Sequence, residues 1–86
     1  KHLELVLESD AGNEAEVIRD FRKLVQARAA HRVMVFQNSI SSIMHTAYDI
    51  VHSFQASQHG DRYLFVEYGP TVGAGLMIFP NKPEKL

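Results

Sequence analysis

Leu3, Leu5 and Leu7 alternate with Glu4, Val6 and Glu8 at the start of the chain. A period of two places the leucines on one face of a strand and the two glutamates on the other. The strand gives out in Glu8-Ser9-Asp10, and the small polar turn Ala11-Gly12-Asn13 follows. The period then changes. Asn13 with Glu16 three residues on forms a capping box and starts a helix at Glu14. Val17, Ile18, Phe21, Leu24 and Val25 recur at helical spacing on one face, which carries the helix to Ala29 or Ala30. Arg28 projects close to that stripe and has to snorkel or pair.

Arg32 to Gln37 is a nearly continuous apolar run, the pattern of a strand buried on both faces in a parallel sheet. With the first strand and helix it makes a β-α-β unit, for which a right-handed crossover is expected. Asn38, Ser39, Ser41 and Ser42 offer caps for a second helix. Its apolar face is Ile40, Ile43, Met44, Ala47, Ile50, Val51 and Phe54, running out near Ala56 and Ser57. Arg62 to Tyr68 is aromatic and β-branched, hence a third strand. The glycine-rich stretch 69–75 reads as a flexible loop, and Leu76 to Phe79 as a fourth strand. That connection is too short for a parallel crossover, so the last two strands form an antiparallel hairpin. Pro80 and Pro83 stop the sheet, and 81–86 reads as a loose tail. The predicted class is α/β, a small mixed sheet in the order β-α-β-α-β-β over residues 1–80.

Composition narrows the classes rather than choosing one. Eighty-six residues form one small domain whose core is marginal by itself. A formal net charge of −1 creates no global field toward nucleic acid or membrane, although Arg19, Arg22, Lys23, Arg28 and Arg32 gather locally. The absence of cysteine fits a reducing, cytoplasmic setting. No apolar run approaches the roughly 20 residues of a membrane span. The chain starts on Lys1, almost inside its first strand, which reads as a piece of a larger protein.

Two groups of residues invite chemistry. Glu4, Glu8 and Asp10 gather where the first strand ends, and Mg²⁺ is typically held by one or two carboxylates with waters. The plainer reading, which the spacing favours, has the glutamates facing solvent and Asp10 in a turn. His45, Asp49 and His52 share the polar face of the second helix at i, i+4 and i+7, a spacing open to a transition metal such as Zn²⁺. A solvated face is again the plainer reading. Tyr63, Phe65 and Tyr68 could stack bases, but cross-strand packing is the readier role. The three glycines of 69–75 lack the Lys-Ser/Thr of a phosphate loop, and no nucleophile elbow surrounds the serines.

A strand ending in Glu8, an acidic loop, a helix carrying Phe21-Arg22-Lys23-Leu24, an Ala29-Ala30-His31-Arg32 joint and then Val33-Met34-Val35-Phe36 together resemble the middle of the PD-(D/E)XK, restriction-endonuclease-like nuclease superfamily. The resemblance covers roughly residues 3 to 37, and that superfamily's motifs are degenerate. It implies carboxylates that bind Mg²⁺ and a lysine that orients water for phosphodiester cleavage of nucleic acid. Glu8 matches the glutamate of the family's Glu-x-Lys half-motif. Asp10 stands where the lysine is usual, and Lys23 on the following helix is the candidate replacement. The Pro-Asp half-motif is missing, since its strand would precede Lys1. This implies Glu8 and Lys23 as catalytic residues and Glu8 and Asp10 as metal ligands. The alternative is a non-catalytic α/β module that self-associates through a sheet edge or helix face, gaining burial that a chain this small struggles to reach alone.

Overall fold

The computed structural model describes residues 3–27 and 29–86, with backbone alone for Leu3, Glu4, Asp10 and Ala30. Five strands and two helices follow in the order β1 (Leu3–Asp10), α1 (Glu14–Gln26), β2 (Ala29–Phe36), α2 (Ile40–Ser53), β3 (Arg62–Glu67), β4 (Gly73–Ile78) and β5 (Glu84–Lys85). They make one sheet in the spatial order β1-β2-β3-β4-β5. β1, β2 and β3 run parallel, and β3-β4 and β4-β5 are antiparallel. The predicted mixed α/β sheet with a closing hairpin is what the chain forms.

α1 begins as the capping box requires. The Asn13 side chain accepts from the Glu16 N–H, and Glu16 accepts from the Asn13 N–H, both at 3.0 Å. Its buried residues are Val17, Phe21, Leu24 and Val25. The helix ends at Gln26, three residues short of the expected Ala29. β1 explains this, because its backbone pairs with Ala29 and His31 as well as with 32–36. Eight strand residues need partners along their whole length, and ladder pairing overrides the helix propensity of the alanines. Arg28 lies outside the described residues.

The second helix also ends early, at Ser53, with Phe54 at its C-cap. Two further expectations are corrected at the C-terminus. β4 starts at Gly73, inside the supposed flexible loop, and 84–85 joins the sheet where a loose tail was expected. Both changes follow from backbone pairing, 73–75 with β3 and 84–85 with β4, and Gly75 lies at the centre of this three-strand register. Its Cα is registered with Phe65 on one side and Lys85 on the other, and a Cβ there would collide with the Met44 sulfur. A strand lacking one side chain lets α2 come close. Leu86 then donates its N–H to Ala74 O at 2.9 Å.

Both helices lie on the same side of the sheet and touch each other, α1 over β1 and β2, α2 over β3 and β4. The core sits between these two layers. From the sheet it takes Met34, Phe36, Tyr63, Phe65 and Met77, and from the helices Phe21, Leu24, Ile43, Ala47 and Val51. Phe21 is central, its ring 5.5 Å from Tyr63 and 5.8 Å from Phe65. The aromatic residues of β3 thus pack the core, as cross-strand pairing predicted, except Tyr68 just past its end. No described helix is long and apolar enough to cross a membrane.

Candidate functional site

Strand alternation decides what lies opposite the helices. Paired residues in adjacent strands share a face, so the register defines three rows on the uncovered side. The first is Leu5, His31, Arg62 and Ile78; the second Leu7, Val33, Leu64 and Leu76, continued by Glu84 on the edge strand β5; the third Ser9, Val35, Val66 and Ala74. The middle row is apolar across four strands. Leu5 is 55% exposed and Leu7 52%, while Val33, Val35, Leu64, Val66, Leu76 and Ile78 are half-buried by their neighbours. Neither helix covers this face, and Asn81, Lys82 and Glu84 border it beside Leu76 and Ile78.

The plainer sequence reading had Glu8 on the solvent side of its strand, opposite the leucines. The structure reverses it: Val6 packs against the core, and Glu8, two residues on and registered with Met34, shares that helix-covered side. Leu5 and Leu7 take the open side. A strand's alternation specifies two faces but not which one a helix will cover, and here the crossover over β1 and β2 makes that choice.

The residues implied by the nuclease resemblance are distributed as follows. Glu8 is half-buried, and its carboxylate engages no hydrogen bond or ion pair among the described residues. Asp10 ends β1, registered with Phe36; its side chain and that of Glu4 lie outside the described residues. Lys23 is exposed and sits 3.4 Å from Asp20 on its own helix. Among the described residues no group of three or more His, Asp or Glu side chains is placed to hold a metal ion. Of the carboxylates the resemblance implies for Mg²⁺, Glu8 is the one whose side chain is described.

Three of the locally clustered cations have partners within the chain, while Arg22 is exposed. Arg19 lies 4.0 Å from Glu16, Lys23 pairs with Asp20, and Arg32 is only 5% exposed. The Arg32 Nε and Nη2 groups donate to Ala27 O at 3.2 and 2.7 Å. Its Nη1 stands 3.6 Å from Asp61, an ion pair too long for a hydrogen bond, and its guanidinium lies 5.1 Å from the Tyr63 ring centroid. This is a structural anchor that charge counting in sequence misses. It ties the end of α1 to the turn before β3. The only advance signal was a cation opening an apolar strand.

On α2 the histidines separate. His52 Nε2 lies 3.0 Å from Pro80 O, and its ring sits between Tyr48 at 4.3 Å and Phe79 at 4.9 Å. His45 and Asp49 instead line an open cleft of about 400 Å³ against Lys82 and Lys85. At the other end of α2, Ser39 occupies the N-cap position without a side-chain cap bond. Glu67, from the end of β3, takes over and accepts from the Ile40 N–H at 3.2 Å. A carboxylate there also answers the positive end of the helix dipole. Ser42 is turned to Glu14, donating at 2.9 Å. These polar groups at the carboxyl ends of the parallel strands hold the two helices in place.

Compared with protein-family models, curated proteins and solved structures, the chain matches none.

Proposed function

We propose that this protein is a non-catalytic α/β interaction module that works by covering its open sheet face with a partner. The observation that carries this is the apolar row Leu7, Val33, Leu64 and Leu76 on the side away from both helices. Parallel strands ordinarily have both faces covered, and an unbroken apolar patch of this kind marks an interaction surface. The face, rather than the edge or helix face that sequence suggests, is the feature with apolar surface to hide. At sub-micromolar protein, where associated species dissociate, the protein is expected to raise the emission of an apolar-surface dye such as anilinonaphthalene sulfonate. Leu64→Lys should cut that enhancement several-fold with far-UV circular dichroism unchanged. Equal emission from both proteins would sink the proposal.

A second reading is supported by Glu8, a half-buried carboxylate on β1 with no described partner. In a nuclease-like core it would be a Mg²⁺ ligand with Asp10, Mg²⁺ supplying Lewis-acid assistance to phosphodiester hydrolysis of nucleic acid, and Lys23 positioning water. Lys23 would first have to leave Asp20. On this reading Mg²⁺-dependent cleavage of DNA is lost in Glu8→Gln while the melting temperature holds. Cleavage that survives Glu8→Gln, or absent cleavage by the unaltered protein, rejects it.

A further inference from the structure

We infer that the partner covering the open face is a second copy of this chain, the two sheets packing face to face about a two-fold axis. This rests on the reading of the protein as an interaction module and names its occupant.

Three observations point to a second sheet. The first is width. Four strands at about 4.8 Å spacing make an apolar face about 19 Å across, whereas one helix with its side chains is about 10–12 Å wide. On the opposite side it takes both α1 and α2 to cover the same strands. A second copy brings a sheet of matching width in one step, and packed sheets sit about 10 Å apart with interdigitating side chains.

The second is the pattern of the face. Across β1 to β4 its middle row holds only Leu and Val, and its polar members lie at the margins: Ser9 on the edge strand β1, Glu84 on the opposite edge strand β5, His31 and Arg62 in the end row. An apolar centre with a polar rim is the anatomy of an interface. Because the centre has no charge or hydrogen-bonding side chain, it meets its own copy without leaving a polar group unpaired, as an isologous contact requires.

The third is area. Three rows spaced by two residues give a length of about 20 Å, hence roughly 400 Å² of projected face per copy. Interdigitation removes more than the projected area, so two copies together hide on the order of 1,000 Å², the lower bound for a specific interface. A reversible dimer of micromolar affinity is the corresponding expectation. β1 contributes to the same conclusion: Leu5 and Leu7, not Glu8, take the open face, so the strand is patterned for burial on that side.

The test is sedimentation velocity on the purified protein from about 1 to 500 µM, with dye emission read on the same samples. The expected result is a monomer that becomes a dimer as concentration rises, the dye being displaced in parallel. Leu64→Lys and, separately, Leu7→Lys should weaken dimerisation by about 100-fold or more, since each places two like charges at the contact. Circular dichroism and melting temperature identify a variant that has merely unfolded, and the second position then carries the test. A dimer unaffected in both folded variants overturns the face assignment. A protein that stays monomeric at 500 µM yet binds dye in a Leu64-dependent way overturns the second copy but leaves the module reading in place, with a different partner. A monomer that binds no dye overturns both.

Discussion

Phe21→Ala is expected to cost about 3–5 kcal/mol, the range for removing a buried aromatic ring. Phe21 is fully buried and is the contact through which α1 reaches β3, packing on Tyr63 and Phe65. Those two rings lie near the middle of the sheet, so the cavity would open at the centre of the core rather than its rim. The neighbours are themselves large and held by strand pairing, which limits collapse into the space. A chain of this size has a total stability of only about 5–10 kcal/mol, so the variant should unfold at much lower denaturant or be partly unfolded in buffer. Urea melts followed by circular dichroism check this. An unchanged midpoint would refute the packing of α1 described above.

Arg32→Ala comes second, with an expected loss of about 3 kcal/mol. Two charge-assisted hydrogen bonds to Ala27 O disappear, each bond of that type being worth about 1.5–3 kcal/mol at most. Asp61, mostly buried, loses the cation it faces, and such orphaned charges are costly. Arg32→Met separates the contributions. It keeps the stem that lines the core and removes only the guanidinium, so it should be milder than alanine. The same denaturant melts rank the two, and equal losses would show that the guanidinium matters and the packing does not.

Tyr63, under that guanidinium, adds a pH dependence. Burial pushes its hydroxyl up to about 12, opposed by Arg32 and assisted by Asp61. The folded value lies above the unfolded one of about 10. The contribution is therefore intact below pH 10 and is lost as pH rises through about 12, which alkaline melts would register as a falling midpoint.

How much of this was legible in the residues varies by element. The capping box Asn13/Glu16 and the apolar stripe through Phe21 were sufficient to start and orient α1, because both signals are local. The parallel β1-β2 pair and the β3-β4 hairpin followed from run composition and connection length. The ends of elements were not legible. Ala29 and Ala30 read as the end of the helix and are strand because β1 needs partners, while 73–75 looks like a loop and is strand because it pairs with 65–67 of β3.

The candidate site divides in the same way. The sequence singled out Glu8, Asp10 and Lys23 through a family resemblance, and tertiary structure gives Lys23 an ion pair with Asp20 and places Glu8 under the helices. The sequence read His45, Asp49 and His52 as one face; packing against Phe79 and Pro80 draws His52 away. Glu67 as the cap of α2 could not be found from local spacing, since it lies 27 residues from Ile40.

By itself, then, the sequence determined an α/β chain with two amphipathic helices, a parallel start and an antiparallel finish. It also determined that β1 has a leucine face and a carboxylate face. Which of those faces the helices cover was decided only in three dimensions. Periodicity records how side chains alternate about a strand, whereas covering depends on the side to which the connection crosses. In this protein the connections put both helices on the side of the sheet that carries Val6 and Glu8, α1 over β1 itself, and left Leu5 and Leu7 on the open side.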